Sequence, residues 1–344
     1  MIALSVTIKD IAKLAHVSHT TVSRALNNSE LINPKTRARI QSIASDMNYT
    51  PNFSAKSLVL DRSYNLGLFF STLQQGTSAV FFYETVRGVN LTVKDAYNLV
   101  VRGIDDYPDF SNIKRRSFDG IIVVSQSAAD DAFIRYLQQI EMPLVVLNRY
   151  TELVPLKNIL SDDRQGAFRI VEYLISCGHR EIAIIEGKSG FKSSQERRVG
   201  YLDALTKYGL AANSQRVQGS YDLASGHLAM KQILAWERLP TAVFCANDEM
   251  AVGAMKAIVE QGLRVPEHIS VVGYDDNAFS GFLTPALTTV KRPIEQISHL
   301  GAVHLLEIIT KKQTCMEIIY LDTELIIRDS VRTIDNGGDY TCQY

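Results

Sequence analysis

The chain has 344 residues, of which 46% are apolar and 21% charged, with a formal net charge of −1. That length suits two or three domains with cores large enough to fold unaided, and the composition excludes a disordered, collagen-like or disulfide-stapled chain. No window approaches the roughly 18 consecutive apolar residues of a membrane span, and the opening MIALSVTIKD lacks the basic start and long apolar run of a secretory signal. Cys177, Cys245, Cys315 and Cys342 lie far apart with no CxxC or Cys/His metal spacing, which suits a reducing compartment and no bound metal. A cytoplasmic protein is expected, without a membrane partner and without a cofactor.

The near-zero charge conceals an asymmetry. Residues 1–62 carry eight Lys and Arg against four acids, a net +4, while the remainder carries 28 basic and 33 acidic residues, a net −5. A basic head on an acidic body suggests that the head meets a polyanion. In that head, Thr7-Ile8-Lys9-Asp10 has the form of a capping box, and Ile8, Ile11, Ala12 and Ala15 follow helical periodicity. The helix should stop near Ala15-His16-Val17. Ser18 can cap a second helix running to Leu26, which buries Val22, Ala25 and Leu26 and turns His19, Thr20, Ser23 and Arg24 outward. Asn33-Pro34 marks a third start, N-cap and N1, with Ile40, Ile43, Ala44 and Met47 on the inner face. Two short helices joined by a tight turn and braced by a third form a helix-turn-helix, whose second helix is shaped for a major groove.

TIKDIAKLAHVSHTTVSRALNNS, followed by INPKTRARIQSIASDMNYTPNFSAKSL, resembles the head of the lactose/galactose-repressor family. The order is helix-turn-helix, third helix, Y-x-P-N and a hinge ending A-[RK]-S-L, and the V-S-x-x-T-V-S-R-x-L-N core is highly specific. His16 stands where the family usually has Gly; the position calls for positive φ, which His tolerates better than most residues. Arg24 suits a bidentate contact to guanine, worth roughly 1–3 kcal/mol of discrimination, and His19 and Thr20 match the family's main specificity positions. Thr7, Ser18, Thr21, Ser23 and Asn27 suit phosphate contacts or helix caps, positioning rather than specifying. The resemblance implies that a short helix at 52–59 folds on DNA against its copy in a second subunit and inserts Leu58 into the minor groove as an apolar wedge, with Ala55 permitting close approach and Lys56 meeting phosphate.

From Asn65 onward, the apolar runs NLGLFFS, YNLVVRG, DGIIVVS and PLVVLNR, and later EIAIIEG, TAVFCAN and ISVVGYD, alternate with amphipathic stretches. Continuous apolar strands between helices indicate parallel sheets covered on both faces, and two series imply two doubly wound lobes. VGYDD, TAVFCANDEMAVGAMKAI and LTTVKRPIEQ carry the family resemblance onward and imply a periplasmic-binding-protein-like body whose lobes are joined by three crossovers, near residues 161, 291 and 321. The expected fold is therefore an all-α helix-turn-helix head on an α/β body. Its domains are 1–50, a hinge at 51–63, and a body at 64–332, with lobes 64–161 plus 292–320 and 162–291 plus 321–332; a polar, Gly-rich tail follows at 333–344.

In such folds ligands sit at strand carboxyl ends. Arg149, Asp162, Arg197, Asn247, Asp248 and Asp275 fall just after strands or beside them, and Tyr221 offers an aromatic face, the inventory a polyol needs. Motif matching implies Arg197 in R-x-x-G-Y, Asp248 in A-N-D, Asp275 in V-G-Y-D-D and Tyr221 at the family's stacking position. Asn247 also suits a helix cap, and Asp162 suits either the ligand or a crossover. Phe81, Phe82 and Tyr83 replace the family's usual N-P-F-F and divide between core and cleft, with Phe82 taken as the ligand contact. The expected function is a transcriptional regulator, most often a repressor in this family, binding a pseudo-palindromic operator as a homodimer under control of a small-molecule effector such as a sugar. No catalytic residue is expected. A glycosidase using Asp275 and Asp276 is the rival enzyme reading, disfavoured because adjacent carboxyls point apart while hydrolysis needs them facing across a bond; a solute-binding protein without a DNA role is the other alternative. His179 reads as a structural turn residue, and His299 and His304 have poor metal spacing.

Overall fold

The computed structural model describes residues 6–26, 29, 31–47, 49, 62–74, 76–151, 156–311 and 316–335. The expected hinge helix at 52–59 with Ala55, Lys56 and Leu58, together with Asn27, Cys315, Cys342 and tail residues 336–344, lies outside the described residues. The chain divides into two compact units, residues 1–61 and 62–344.

In the first unit, α1 (Ile8–Ala15), α2 (His19–Leu26) and α3 (Pro34–Asp46) start and stop at the residues that local chemistry favours. The Thr7 backbone N–H and hydroxyl both donate to the Asp10 carboxylate, at 2.9 and 2.6 Å; these bonds hold the Asp10 carboxyl below its ordinary value. Asn33 Oδ1 accepts from the Lys35 N–H ahead of Pro34, satisfying one of the orphan donors of a helix start. His16 ends α1 in the left-handed region at φ 50° and ψ 43°. Ile11, Ala12, Ala15, Val22, Ala25, Ile40 and Ala44 make the small core, with Leu26, Ile43 and Met47 packed on its margin. Arg39 reaches across to donate to the Ala15 carbonyl at 2.6 Å, binding the bracing helix to the turn.

The second unit is built on two parallel sheets. One has six strands, β1 (Asn65–Phe70), β2 (Asn98–Gly103), β3 (Gly120–Val124), β4 (Leu144–Leu147), β5 (Lys157–Ser161) and β11 (Glu317–Leu321), in the order β11-β5-β4-β3-β1-β2. Alternation sends Leu66, Leu68 and Phe70 to the face covered by α4 (Ala79–Val93) and α10 (Ile294–Lys311), and Phe69, Ile121 and Val123 to the face covered by α5 (Asp131–Gln139). The other sheet has four strands, β6 (Ile182–Glu186), β7 (Gln215–Gln218), β8 (Ala242–Cys245) and β9 (Ser270–Val272), in the order β7-β6-β8-β9. Ile182 and Ile184 pack on α6 (Asp163–Ser176) and α7 (Lys192–Lys207); Ala183 and Ile185 pack on α8 (Leu223–Leu234) and α9 (Asp248–Glu260). Strands β1, β3, β4, β6, β8 and β9 are thus apolar on both sides because helices cover both sides, whereas the marginal strands β2, β7 and β11 are part-exposed. A small antiparallel pair, β10 (Thr289–Lys291) with β12 (Glu324–Ile326), accompanies the passages of the chain between the sheets.

The chain enters this unit beside the amino ends of β1, β2 and β3. There Asp119 accepts from the Ser63 N–H and hydroxyl at 2.7 and 2.9 Å and from the Tyr64 N–H at 3.3 Å, while the Asn65 side chain donates to the Ser117 carbonyl. No helix of the described residues is long and apolar enough to cross a membrane.

His16→Val places a β-branched side chain at positive φ. Hydrogen exchange of the α1 and α2 amides should show the helix-turn-helix destabilised by about 1 kcal/mol, whereas His16→Gly should leave protection equal or higher.

Candidate functional site

Two surfaces carry the chemistry. On the first unit, α2 presents His19, Thr20 and Arg24 to solvent, with Thr21 and Ser23 half-buried at its flanks. Ser18 Oγ accepts from the Thr21 N–H at 3.1 Å and lies 2.9 Å from the Thr21 hydroxyl, so Ser18 caps the helix and Thr21 is held by it. Among the described residues Arg24 has no ion-pair partner.

On the second unit, a cleft of about 450 Å³ including its open mouth lies between the two sheets, lined by Gly76, Ser78, Phe81, Ser125, Gln126, Asn148, Ser193, Arg197, Tyr221, Asn247, Asp275 and Arg292. Ser125, Asn148, Tyr221, Asn247 and Asp275 all follow the carboxyl ends of strands, from both sheets, where parallel α/β sheets collect their ligands. Three of these lining residues, Asn148, Tyr221 and Asp275, have positive φ (66°, 68° and 116°), a strain of order 1–3 kcal/mol each that surrounding structure must hold.

Arg197 dominates the cleft floor. Gly200, one turn later, lets α7 close on α6: a Cβ there would meet the Arg164 carbonyl at 2.1 Å. Arg197 Nη1 donates to the Ala246 carbonyl, and Nη2 lies 3.5 Å from Asp275 and 3.6 Å from Asp163. Its guanidinium stacks 3.8 Å from the Tyr274 ring centroid, and its buried Nε has no hydrogen-bond partner among the described residues. Arg292 closes the circuit, with Nε 3.2 Å from Asp163 and Nη1 3.4 Å from Asp275. Burial pushes the Asp163 carboxyl up, but Arg292 and Arg197 outweigh it and hold the group below its ordinary value. At Asp275 burial wins over the same two arginines, and the carboxyl sits above its ordinary value.

The other expected ligand residues are distributed differently. Tyr221 lines the cleft, its hydroxyl 2.9 Å from Ser193 Oγ. Asn247 lines it too while capping α9 through the Met250 N–H and donating to the Tyr221 carbonyl. Asp162 is the N-cap of α6, accepting from the Gln165 N–H at 2.9 Å, outside the cleft lining; the carboxylate beside it, Asp163, joins the arginines. Asp248 is buried behind the wall and accepts from Thr289, Ser280 and the Asn277 N–H at 2.6–2.7 Å, locking the loop after β9. Arg149 pairs with Asp131 and donates to Ser125 Oγ at 2.8 Å, so it holds a lining residue rather than lining the cleft itself. On α4 Phe81 is buried in the core beside Phe70, ring centroids 6.2 Å apart, and also lines the cleft, whereas Phe82 is half-buried and packs on Phe70 at 5.3 Å outside the cleft lining. Ser78, Ser125, Gln126, Asn148, Ser193 and Arg292 were not anticipated. Arg292 alone had a local signal, a cation beside Pro293 at the end of β10.

Asp276 pairs with Arg328 at 2.6 Å, away from Asp275, so the two carboxyls do not face each other across a common bond. His179 lies between the Thr241 hydroxyl and the Arg332 carbonyl, and burial lowers it to about 4. His299 bonds Thr92, whereas His304 lies beside Lys157 and Glu307.

Asp163→Ala strips a carboxylate from two buried arginines and should cost about 3–5 kcal/mol, whereas Asp162→Ala removes only a cap, about 1 kcal/mol; chemical unfolding of each variant measures the contrast. Burial pushes the Asp248 carboxyl from 3.8 up to about 7, so the folded chain keeps a proton that the unfolded chain has released. That contribution is complete below pH 4 and is lost as pH rises toward 7. Between those limits the unfolding midpoint of wild type should fall more steeply with pH than that of Asp248→Asn.

Residues 7–52 match the family described as bacterial regulatory proteins, lacI family, and residues 171–331 match a periplasmic binding protein-like domain. The chain is 52% identical over 330 residues to the probable HTH-type transcriptional repressor ExuR of Bacillus subtilis (strain 168), covering 96% of this chain and 99% of that one. It is 32% identical to the ribose operon repressor of Haemophilus influenzae, covering 95% and 99%. Among solved structures, the lac repressor dimer bound to operator and the anti-inducer ONPF superposes with a TM-score of 0.80 at 28% identity, covering 95% of this chain and 99% of that one. The chain belongs to the lacI family of bacterial regulatory proteins and is a transcriptional regulator rather than an enzyme.

Proposed function

We propose that this protein is a cytoplasmic repressor that binds a pseudo-palindromic operator as a homodimer and is controlled by a sugar or sugar derivative held in the cleft. The observation that carries the effector reading is the Arg197–Asp163–Arg292–Asp275 cluster on the cleft floor, with an unpartnered Arg197 Nε and the Tyr221 ring beside it. Guanidinium and carboxylate groups side by side grip paired hydroxyls, and an aromatic face covers the apolar side of a pyranose. A cellobiose complex of the regulator CelR and a ribose-bound lacI-family regulator from Enterococcus faecium are among the similar structures, and both support a carbohydrate.

The DNA reading rests on α2. His19, Thr20 and Arg24 face outward to read bases, and Thr7, Ser18, Thr21, Ser23 and Asn27 are assigned to phosphate contacts or caps. Ala55, Lys56 and Leu58 form the minor-groove hinge of this proposal. The lobes are 64–161 with 292–320 and 162–291 with 321–332, and sheet membership supports that division: β1 to β5 and β11 form one sheet, β6 to β9 the other. Of the expected ligand contacts, Arg197, Tyr221, Asn247 and Asp275 are retained and joined by Phe81 and Arg292; Arg149, Asp162, Phe82 and Asp248 act as supports behind the cleft.

A thermal-shift screen of sugars, sugar phosphates and uronic acids tests the effector assignment. A ligand at 100 times its Kd should stabilise the body by about 2.7 kcal/mol, and Arg197→Ala should abolish the shift. Arg24→Ala should weaken operator binding by about 1–3 kcal/mol and relax specificity at one base position. A hit whose shift survives Arg197→Ala would place the effector elsewhere.

A further inference from the structure

On the end of the six-stranded sheet away from the cleft, at the amino ends of β1, β2 and β3, the surface is cationic. Lys114, Arg115 and Arg116 follow one another in the loop before β3, all exposed. Arg62 and Lys94, also exposed, lie in the segments leading to β1 and β2. This loop is tied to the incoming chain: Asn65 Nδ2 donates to the Ser117 carbonyl at 3.2 Å, and Asp119 holds Ser63 and Tyr64. The carboxylates nearby do not neutralise the cations. Asp119 is occupied by the incoming backbone. Glu141 meets Arg115 in an exposed pair 3.5 Å long that solvent screens, and Arg115 also donates to the Glu141 carbonyl. Asp109, earlier in the same loop, accepts from Ser111, and Asp95 follows Lys94 in sequence. Among the described residues Arg62, Lys94, Lys114 and Arg116 have no ion-pair partner. Toward β5 and β11, by contrast, Lys157 and Lys311 are paired with Glu317 and Glu307.

A clustered cationic face on a segment whose net charge is −5 runs against the composition of the body. It also surrounds the point where the chain arrives from the helix-turn-helix. Fewer than twenty residues separate the end of α3 at Asp46 from Arg62, and at no more than about 3.6 Å per residue that tether keeps the face within reach of DNA held by the head. We propose that this face is a second, sequence-independent DNA contact, in which Lys114, Arg115 and Arg116 meet phosphates of the duplex flanking the operator. It rests on the DNA reading above, but concerns the body rather than the head. Arg and Lys on phosphate supply affinity and salt dependence without reading sequence.

The test compares two probes: a duplex selected from random-sequence DNA by the full-length protein and trimmed to roughly 20 base pairs, and the same duplex extended by about one helical turn at each end. Wild type should bind the longer probe more tightly and with a steeper salt dependence. Each lost phosphate contact lowers the slope of log K against log[salt] by about 0.9, so the Lys114→Gln/Arg115→Gln/Arg116→Gln variant, which removes three contacts from each subunit of the homodimer, should lose about five from the slope on the long probe. Its affinity there should fall to that for the short probe, while its short-probe affinity and unfolding midpoint stay at the wild-type values. Arg62→Gln/Lys94→Gln gives an independent reading in the same direction, which serves if the triple variant does not fold. Equal loss on both probes, or an undiminished gain from the flanks in the variants, overturns the proposal. If wild type selects no duplex at all, the DNA reading itself fails, a result distinct from selection without a flank effect.

Discussion

The body depends on four buried charges. Asp163 begins the helix after the first passage of the chain out of the six-stranded sheet, Arg292 follows β10 on the way back, Asp275 follows β9, and Arg197 reaches up from α7. Each is costly to desolvate alone, and two arginines balanced by two carboxylates make the set tolerable. Because the members come from both sheets and from the segments that join them, the cluster connects the halves of the cleft by charge rather than by apolar contact. An apolar seam would be indifferent to a polar solute. A charged one exchanges partners with it.

That arrangement explains the unequal behaviour of the two cleft aspartates. Asp163 lies behind the lining with Ser161 donating to it and both arginines close, and it is held low. Asp275 faces the cleft at much the same range from the two arginines, 3.5 and 3.4 Å, but in a strained backbone conformation and without the Ser161 bond, and burial holds it high. The first is a fixed counter-charge and the second has bonding capacity to give. A ligand shifts a conformational equilibrium only by its differential affinity for the two states, and in the function proposed above Arg197, Arg292 and Asp275 are the groups that would supply it. Strands β1 and β3 run from this cleft to the place where Asp119 holds the incoming chain, so the cleft wall and the arrival of the chain share two rigid elements.

Much of this was legible before folding because it is local. A Thr with an acid three residues on, an Asn before a Pro, and a His at a position requiring positive φ each state where a short helix begins or ends, and α1, α2 and α3 obey. Apolar runs of the right length between amphipathic stretches marked β1 to β4, β6, β8 and β9, since a strand covered on both faces has no polar side to show. The short and more polar strands β7, β10, β11 and β12 escaped that signal because they sit at sheet margins or in the connecting passages, and the interior strand β5 escaped it because its apolar run, Ile159-Leu160, is only two residues long.

Side-chain destination was harder, and the reason is geometric. Phe81 and Phe82 are one residue and about 100° apart on a helix; both pack on Phe70, and of the two Phe81 lines the cleft. Asp162 and Asp163 differ only in standing before or after the first helical position, yet one caps backbone and the other balances two arginines. Asp248 has the motif of a ligand contact but turns inward to three donors, and the partner of Arg292 is set by a crossover that brings it 3.2 Å from a residue more than a hundred positions earlier. Sequence alone determined the helix-turn-helix and the alternation of strand and helix, which follow from short-range periodicity and spacing, and it carried the motifs by which the chain resembles its family. Only the tertiary structure decided which of several neighbouring polar groups meet in the cleft, because that choice is made by rotations of a few ångströms and by contacts between segments far apart in the chain.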